Sequence, residues 1–187
     1  MIERKEILTL KAIMLYIVKE WSGTQKCDVY HIVKAAFFAQ QFHLVRFMRP
    51  LYKDEIIAMP YGPAPSAVYD TLKAARGDIR YSKQNNIDDL KVIASSISFC
   101  NEIFSTSENP DTEYLSPSQI ECLDDAIKLV GNMKFEELVT QTHKDEWERA
   151  YKTDKIMDMI AIAREGGADE DSISYMKQSF DFDKAIN

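Results

Sequence analysis

Residues 49–77 read RPLYKDEIIAMPYGPAPSAVYDTLKAARG, and this run predicts an extended segment joined to a helix by a rigid corner. The extended segment spans residues 54–59, where neighbouring β-branched isoleucines favour a strand. Gly62 can adopt backbone angles that are closed to other residues, and Pro63 and Pro65 fix φ at their own positions. We therefore expect a corner that holds its two flanking elements in a fixed orientation.

The helix after this corner has a predicted start and a predicted end. Ser66 is a suitable N-cap, because its hydroxyl can accept a free backbone N–H of the first turn. Val68 and Leu72 are spaced four residues apart, so the helix would bury them on one face. Gly77 predicts the end, since glycine is favoured just after a helix.

Two helices are predicted before this segment. Residues 5–20 carry a broad apolar stripe, which indicates an amphipathic helix, and Gly23 ends it. Asp28 can cap a second helix that reaches about Arg46 and is apolar on nearly every side. We expect this second helix at the centre of the domain.

The chain after the corner helix alternates short apolar and polar runs. Residues 79–81 and 90–97 are partly β-branched and predict two short strands, and residues 101–114 read as a loop. The predicted fold class is α+β and predominantly helical: a compact helical domain with a small antiparallel sheet of two or three strands.

The C-terminal half begins with a strong helix start. Ser116 predicts an N-cap, Pro117 fits the first helical position, and Gln119 can close a capping box. Thr142 predicts the cap of a later helix that holds Trp147. Further helices are predicted over residues 135–140 and 154–164, and the acidic tail over 168–187 has apolar residues at helical spacing.

Composition predicts a soluble cytoplasmic protein. No apolar run approaches the roughly 20 residues of a membrane span, and the N-terminus, MIERKEILTL, lacks the apolar core of an export signal. The three cysteines, Cys27, Cys100 and Cys122, are far apart and odd in number, which fits reduced thiols.

Charge is distributed unevenly along the chain. Residues 1–90 carry 13 Lys and Arg against 10 Asp and Glu, a net of +3, whereas residues 91–187 carry 10 against 20, a net of −10. An acidic half is a poor nucleic-acid surface and suits a basic protein partner. A solvated acidic face gives the same pattern, so both interpretations stay open.

No residue pattern predicts a catalytic or metal centre. His31 and His43 are twelve residues apart on one predicted helix, roughly 120° off register, so they should not share a face. No zinc-ligand spacing or nucleotide-binding fingerprint appears, and no cofactor is expected. Cys27 lies beside a helix start but has no histidine placed by sequence to activate it. A hydrolase that uses His43 or His143 stays open as an alternative.

Short motifs in two blocks resemble one known family. The first block comprises residues 33–44 (VKAAFFAQQFHL), Arg49-Pro50, Ala58-Met59, residues 61–66 (YGPAPS) and Tyr69-Asp70. The second comprises residues 115–118 (LSPS), Leu123-Asp124, Glu137-Leu138, Thr142-His143 and Trp147. Together they are similar to the Panacea domain of SocA-like antitoxins over roughly residues 7–150. Met48 departs from this pattern, because many members have glycine there.

The resemblance implies an antitoxin of a bacterial or phage toxin–antitoxin system, which neutralises a protein toxin by direct binding and is not an enzyme. Toxins paired with this family include alarmone-synthetase-like toxins, and SocA-like members can deliver their toxin to a protease. The matching domain would span residues 1–150, with a helical extension over residues 151–187. The sequence does not predict an oligomeric state. A DNA-binding regulator remains an alternative, which a salt-sensitive mobility shift would support.

Partner binding is predicted for the corner and its flanks, because a partly exposed tyrosine beside rigid backbone suits a binding anchor. The predicted binding residues are Arg49, Asp54, Tyr61, Pro63, Pro65 and Tyr69. Structural roles are predicted for His43, Gly62, Ser66, Gly77, Ser116, His143 and Trp147. A phosphate site at the corner is disfavoured, because prolines lack the backbone N–H groups that would bind the anion. The acidic half is the second candidate surface.

Overall fold

The structure, a computed structural model, describes residues 4–78, 82 and 85–186. Helices and strands follow in chain order as α1 (Arg4–Trp21), α2 (Val29–Phe47), β1 (Ile56–Met59), β2 (Gly62–Pro65), α3 (Ser66–Arg76), α4 (Ile87–Ala94), β3 (Ser98–Cys100), β4 (Ile103–Ser105), a 3-10 turn (Thr112–Tyr114), α5 (Pro117–Gly131), α6 (Phe135–Thr142), α7 (Asp145–Lys152), α8 (Met159–Glu165) and α9 (Glu170–Ile186). Helices dominate and the strands are short, which confirms the predicted α+β, predominantly helical class.

Helix α2 lies at the centre of the domain, as predicted. The Asp28 carboxylate caps it by accepting the backbone N–H of His31 at 2.9 Å. Twelve of its nineteen residues are buried, and it contacts α1, α3, α5, α6, α8 and β2. A helix that is apolar on most sides must be covered on most sides, which explains its central position.

The corner is the turn of an antiparallel hairpin. Met59 of β1 pairs with Gly62 of β2, so Pro60 and Tyr61 form the two-residue loop between them. Gly62 has a φ of +98°, a conformation that favours glycine. Strands β3 and β4 form a second, separate hairpin, so the predicted sheet is realised as two hairpins within the described residues.

The sequence predicted the end of α3 correctly but not the residue that caps its start. Gly77 ends the helix with a φ of +78°, as predicted. The prediction that Ser66 caps the helix was wrong, because Ser66 is itself the first helical residue and its hydroxyl accepts a hydrogen bond from Asn85 Nδ2 at 2.8 Å. The Asp54 carboxylate takes the capping role instead, with both oxygens 3.0 Å from the Ala67 backbone nitrogen.

The segment between the hairpins contradicts two predictions. Residues 90–97 do not form a strand, because Ile87–Ala94 is helix α4, capped by the Asn86 side chain. Leu90, Ile93 and Ala94 are its buried residues, and their spacing of three and four is helical rather than alternating. The predicted loop over residues 101–114 contains β4 and the 3-10 turn. The predicted strand over residues 79–81 lies outside the described residues.

The C-terminal half starts as predicted and then deviates. Ser116 and Gln119 form the predicted capping box of α5. Thr142 does not cap α7, because it ends α6 and its hydroxyl donates to the Leu138 carbonyl at 2.7 Å. Helix α8 begins at Met159 rather than at residue 154, since the chain before it is held along the first hairpin.

Residues from far downstream extend that hairpin. The Ala58 N–H donates to the Lys155 carbonyl at 2.8 Å, and the Met157 N–H donates to the Ile56 carbonyl at 2.9 Å. Beyond this contact, Ile173 and Met176 of α9 are 1% and 0% exposed and belong to the hydrophobic core. No helix in the described ranges is long and apolar enough to cross a membrane.

Candidate functional site

Gly62 is the most crowded point of the corner. A Cβ atom at this position would lie 2.6 Å from both Lys34 Nζ and Thr142 Oγ1, and 3.2 Å from His143 Cδ2. These three groups come from α2, from α6 and from the link between α6 and α7. The hairpin turn is therefore enclosed by polar groups from three separate parts of the chain, and only glycine fits among them.

Lys34 is a buried cation. The residue is 3% exposed, and its ammonium donates a hydrogen bond to the Pro63 carbonyl at 2.8 Å. No carboxylate pairs with it in the part of the chain that the structure describes. Burial lowers the pKa of Lys34 to about 7, because loss of hydration disfavours the charged form.

His143 and Trp147 attach the second block of motifs to the first hairpin. Their rings stack with centroids 3.6 Å apart and planes 8° from parallel. Trp147 Nε1 donates to the Met59 carbonyl at 3.0 Å. Burial, and then the nearby charge of Lys34, lower the pKa of His143. His143 Nε2 is buried and has no hydrogen-bond partner among the described residues.

Three aromatic rings form an exposed cluster beside the turn, and we call Tyr30, Tyr61 and Phe135 the aromatic patch. Their ring centroids lie 4.8 to 5.8 Å apart with steep interplanar angles, an edge-to-face arrangement that is favourable for aromatic rings. Tyr30 is 38%, Tyr61 54% and Phe135 36% exposed. The patch thus joins the hairpin turn to the first turns of α2 and α6.

A pocket of about 380 Å³ opens next to the aromatic patch, between α2, the first hairpin and α3. We call it the Lys34 pocket, because Lys34 is one of its wall residues. Most of the wall is apolar or aromatic, and its other residues are Val29, Tyr30, Val33, Met59, Pro60, Tyr61, Gly62, Pro63, Ala64, Tyr69 and Arg76. A concave apolar wall with a few polar groups is typical of binding sites.

Comparison with known protein families finds a match that covers these elements. The family model described as "Antitoxin SocA-like, Panacea domain" matches residues 32–148. The chain belongs to this family. The matched region starts in α2, just before Lys34, and ends in α7, just after Trp147, so it contains every group that encloses the hairpin turn. No curated protein and no solved structure matches the chain.

The structure brings together only some of the predicted binding residues. Tyr61, Pro63 and Tyr69 all line the Lys34 pocket, although Pro63 is buried and contributes mainly its carbonyl. Pro65 is buried between β2 and α3. Arg49 is exposed and lies at a different cavity of the Panacea domain.

Asp54 lies at the opposite end of the first hairpin from Tyr61. It lines a separate cleft of about 490 Å³, together with Tyr52 and Lys53. Burial raises the pKa of the Asp54 carboxyl to about 7, although the N–H of Ala67 favours its ionised form. Its cap of α3 gives Asp54 a structural role in this fold.

His43 connects two elements at the cavity that Arg49 lines. Its Nδ1 lies 2.9 Å from the Arg49 carbonyl, which can only accept, so Nδ1 carries the proton. Its Nε2 lies 3.1 Å from the Ser118 hydroxyl in the first turn of α5. Burial lowers the pKa of His43, which keeps the ring neutral. His31 contacts Asp28 instead. The two histidines of α2 therefore lie on different faces of the helix, as their spacing predicted.

Two acidic residues follow the aromatic patch along the chain. Glu136 and Glu137 come directly after Phe135 in the first turn of α6, and both are exposed. Phe135 therefore belongs to the acidic half of the chain.

Sequence reasoning missed Lys34, Tyr30 and Phe135. Lys34 had a visible signal, because it is a lone charge within the apolar run VYHIVKAAFFA. A helix that is buried all round must bury such a lysine too. Tyr30 and Phe135 had no signal of this kind, since they are 105 residues apart and meet only in the fold.

Proposed function

We propose that this chain is an antitoxin that neutralises a cognate protein toxin by direct binding through the aromatic patch. Membership of the SocA-like antitoxin family supports a toxin as the partner. We choose this surface because Tyr30, Tyr61 and Phe135 form an exposed cluster of aromatic rings. Tyrosine is enriched among the residues that dominate binding energy in protein interfaces.

The aromatic patch is well prepared for binding. Tyr61 lies in a two-residue turn whose neighbour Gly62 is enclosed on three sides, and the rings of Tyr30 and Phe135 support its own ring. Side chains that are already held in place lose little conformational entropy when a partner binds. The patch can therefore contribute most of its contact energy to affinity.

The acidic rim favours a basic partner. Glu136 and Glu137 adjoin Phe135, and the half of the chain that contains them has a net charge of −10. Charges at the edge of an interface increase the association rate and make it dependent on salt. A toxin that acts on tRNA or nucleotides needs a basic surface, which fits an alarmone-synthetase-like toxin.

We propose that neutralisation works by occluding the active site of the toxin or by stabilising an inactive toxin. Delivery of the complex to a protease would be a later step that uses the same contact. In this proposal the chain acts in the cytoplasm as a stoichiometric binder and catalyses no reaction. His43 is then a structural link, because its two ring nitrogens join the Arg49 carbonyl to α5 through Ser118.

The test is co-expression with the protein encoded by the adjacent gene, scored by growth and by co-purification. Tyr61→Ala should weaken the complex by about 2 kcal/mol, or roughly 30-fold in Kd. Tyr175→Ala is the matched control, since Tyr175 on α9 is 59% exposed against 54% for Tyr61. The control should bind and protect like the unaltered chain.

Two results would contradict the proposal. A neighbour that is harmless and forms no complex would remove the antitoxin function. Equal affinities of the Tyr61→Ala and Tyr175→Ala chains for the toxin would be compatible with the antitoxin function but would exclude the aromatic patch as the binding surface. The hydrolase alternative makes the opposite prediction, because protection would then be lost with Ser118→Ala and kept with Tyr61→Ala.

A further inference from the structure

The starting observation is a buried lysine to which the described residues supply no counter-charge. Lys34 is 3% exposed, and its hydrogen bond goes to a neutral carbonyl, that of Pro63. The other groups around Gly62 are the Thr142 hydroxyl and the His143 ring, and neither is an anion. Buried charges in proteins are normally paired, because an isolated one is costly to remove from water.

The position of Lys34 makes a partner from outside the chain possible. Lys34 and Pro63, whose carbonyl the ammonium contacts, both line the Lys34 pocket beside the aromatic patch. An ammonium has three N–H donors, and the Pro63 carbonyl takes one of them. The wall also carries the phenol groups of Tyr30, Tyr61 and Tyr69, and none of these is a carboxylate. Arg76 is a second cation, already paired with Asp78 at 2.5 Å.

The pocket therefore has a defined chemistry. Its interior is apolar and aromatic, its wall carries the basic groups of Lys34 and Arg76, and the described residues supply no carboxylate to Lys34. The complementary group is a single carboxylate attached to an apolar or short stem. A volume of about 380 Å³ accommodates one or two protein side chains rather than a folded element.

We propose that the Lys34 pocket receives an acidic side chain of the toxin, whose carboxylate pairs with Lys34 while the surrounding toxin surface packs on the aromatic patch. This inference rests on the proposed function and specifies the chemistry of the partner. The complex would then use charges of both signs. The acidic residues Glu136 and Glu137 would attract a basic toxin, and Lys34 would select a toxin that has an acidic side chain at the right place. A partner that lacks the acid cannot form this ion pair and binds less tightly, which provides specificity.

The experiment measures the ionisation of Lys34 in the unaltered chain, free and in complex. The chain is labelled with ¹³C at the lysine Cε, and the Cε resonance of Lys34 is followed by NMR from pH 5 to pH 10. The resonance is assigned by its loss in the Lys34→Met or Lys34→Gln chain. The partner is the product of the adjacent gene, carrying a substitution that abolishes its toxicity.

Pairing with a carboxylate should raise the pKa of Lys34 by at least one unit on complex formation, because an opposite charge stabilises the ammonium. Covering of the pocket by apolar toxin groups would instead lower that pKa further, and an unchanged pKa would mean that the toxin binds elsewhere. Either of these two results overturns the inference and leaves the antitoxin function intact. Failure to form any complex overturns both.

The affinity of the chain for the toxin provides a second test of the inference. Lys34→Met should weaken the complex by about 30-fold or more, as for removal of one partner of a buried charge pair. Lys91→Met is the control, because Lys91 is exposed on α4, which packs on α1 and α3 and does not line the pocket. Equal affinities for the two variants would contradict the inference.

Discussion

Lys34→Met should stabilise the isolated chain near neutral pH and below, an unusual result for a buried position. The pKa of Lys34 falls from 10.5 to about 7 in the folded state. This difference of roughly 3.5 units corresponds to about 5 kcal/mol of destabilisation while the side chain is charged. Methionine fills a similar volume without a charge. It leaves the Pro63 carbonyl without a donor, which costs about 1–3 kcal/mol. The expected net gain at pH 6 is therefore about 2–4 kcal/mol.

The pH dependence of this gain follows from the direction of the shift. Below pH 7 the ammonium is charged in both the folded and the unfolded chain, so the folded chain bears the full cost. Between about pH 7 and pH 10.5 the folded chain is neutral at Lys34 while the unfolded chain still binds a proton, so the cost declines as pH rises. The stability advantage of Lys34→Met should thus shrink by about 1.4 kcal/mol per pH unit and vanish between about pH 8.5 and pH 10. Above about pH 10.5 the variant should be less stable by about 1–3 kcal/mol, because the Pro63 carbonyl still lacks its donor.

Urea unfolding of both chains at pH 6, 7, 8, 9 and 10 measures this advantage, and titrations that the chains share cancel in the difference. Lys91→Met should differ from the unaltered chain by less than about 0.5 kcal/mol at each pH, as expected for an exposed ion pair. A constant difference for Lys34→Met across this range, or a less stable variant at pH 6, would refute the reasoning. A variant that is more stable yet binds the toxin less well would identify Lys34 as a residue kept for binding at the expense of stability.

Two further substitutions test the surroundings of the corner. Gly62→Ala should lower the free energy of unfolding by at least about 2 kcal/mol, because φ is +98° and the new Cβ would lie 2.6 Å from Lys34 Nζ and from Thr142 Oγ1. Urea unfolding measures this loss. Gly23→Ala is the control, because Gly23 has a similar φ of +80° and open space around it. Asp54→Asn should flatten the stability profile between about pH 4 and pH 7: burial raises the pKa of Asp54 from 3.8 to about 7, so the unaltered chain loses up to about 4 kcal/mol as pH rises through this range. Parallel profiles for Asp54→Asn and the unaltered chain would show that the Asp54 carboxylate ionises normally.

Local signals in the sequence predicted most helix boundaries of this chain. Ser116 and Gln119 form their capping box because both groups lie within one turn, and Asp28 caps α2 for the same reason. Gly77 ends α3 because a left-handed conformation favours glycine. These interactions involve residues at most three or four apart, so the amino-acid order alone determines them.

Predictions failed where a distant part of the chain competes with a local signal. Ser66 had the right residue type for an N-cap, but the Asp54 carboxylate before the hairpin accepts the free N–H of Ala67. The run over residues 90–97 has β-branched residues, yet it forms α4 because its apolar side chains pack helically on α1 and α3. A residue-type preference is weak compared with the burial of a complete face.

The sequence by itself determined the fold class, the buried central helix, the rigid corner and the family to which the chain belongs. Tertiary structure alone decided which side chains share a surface. It brought Tyr30 and Tyr61 to Phe135, and it enclosed Lys34 next to them with no counter-charge from the residues that the structure describes. The physical reason is range: caps and turns act over a few bonds, whereas a binding surface depends on how whole elements pack, and helix packing is set by the sum of many weak apolar contacts.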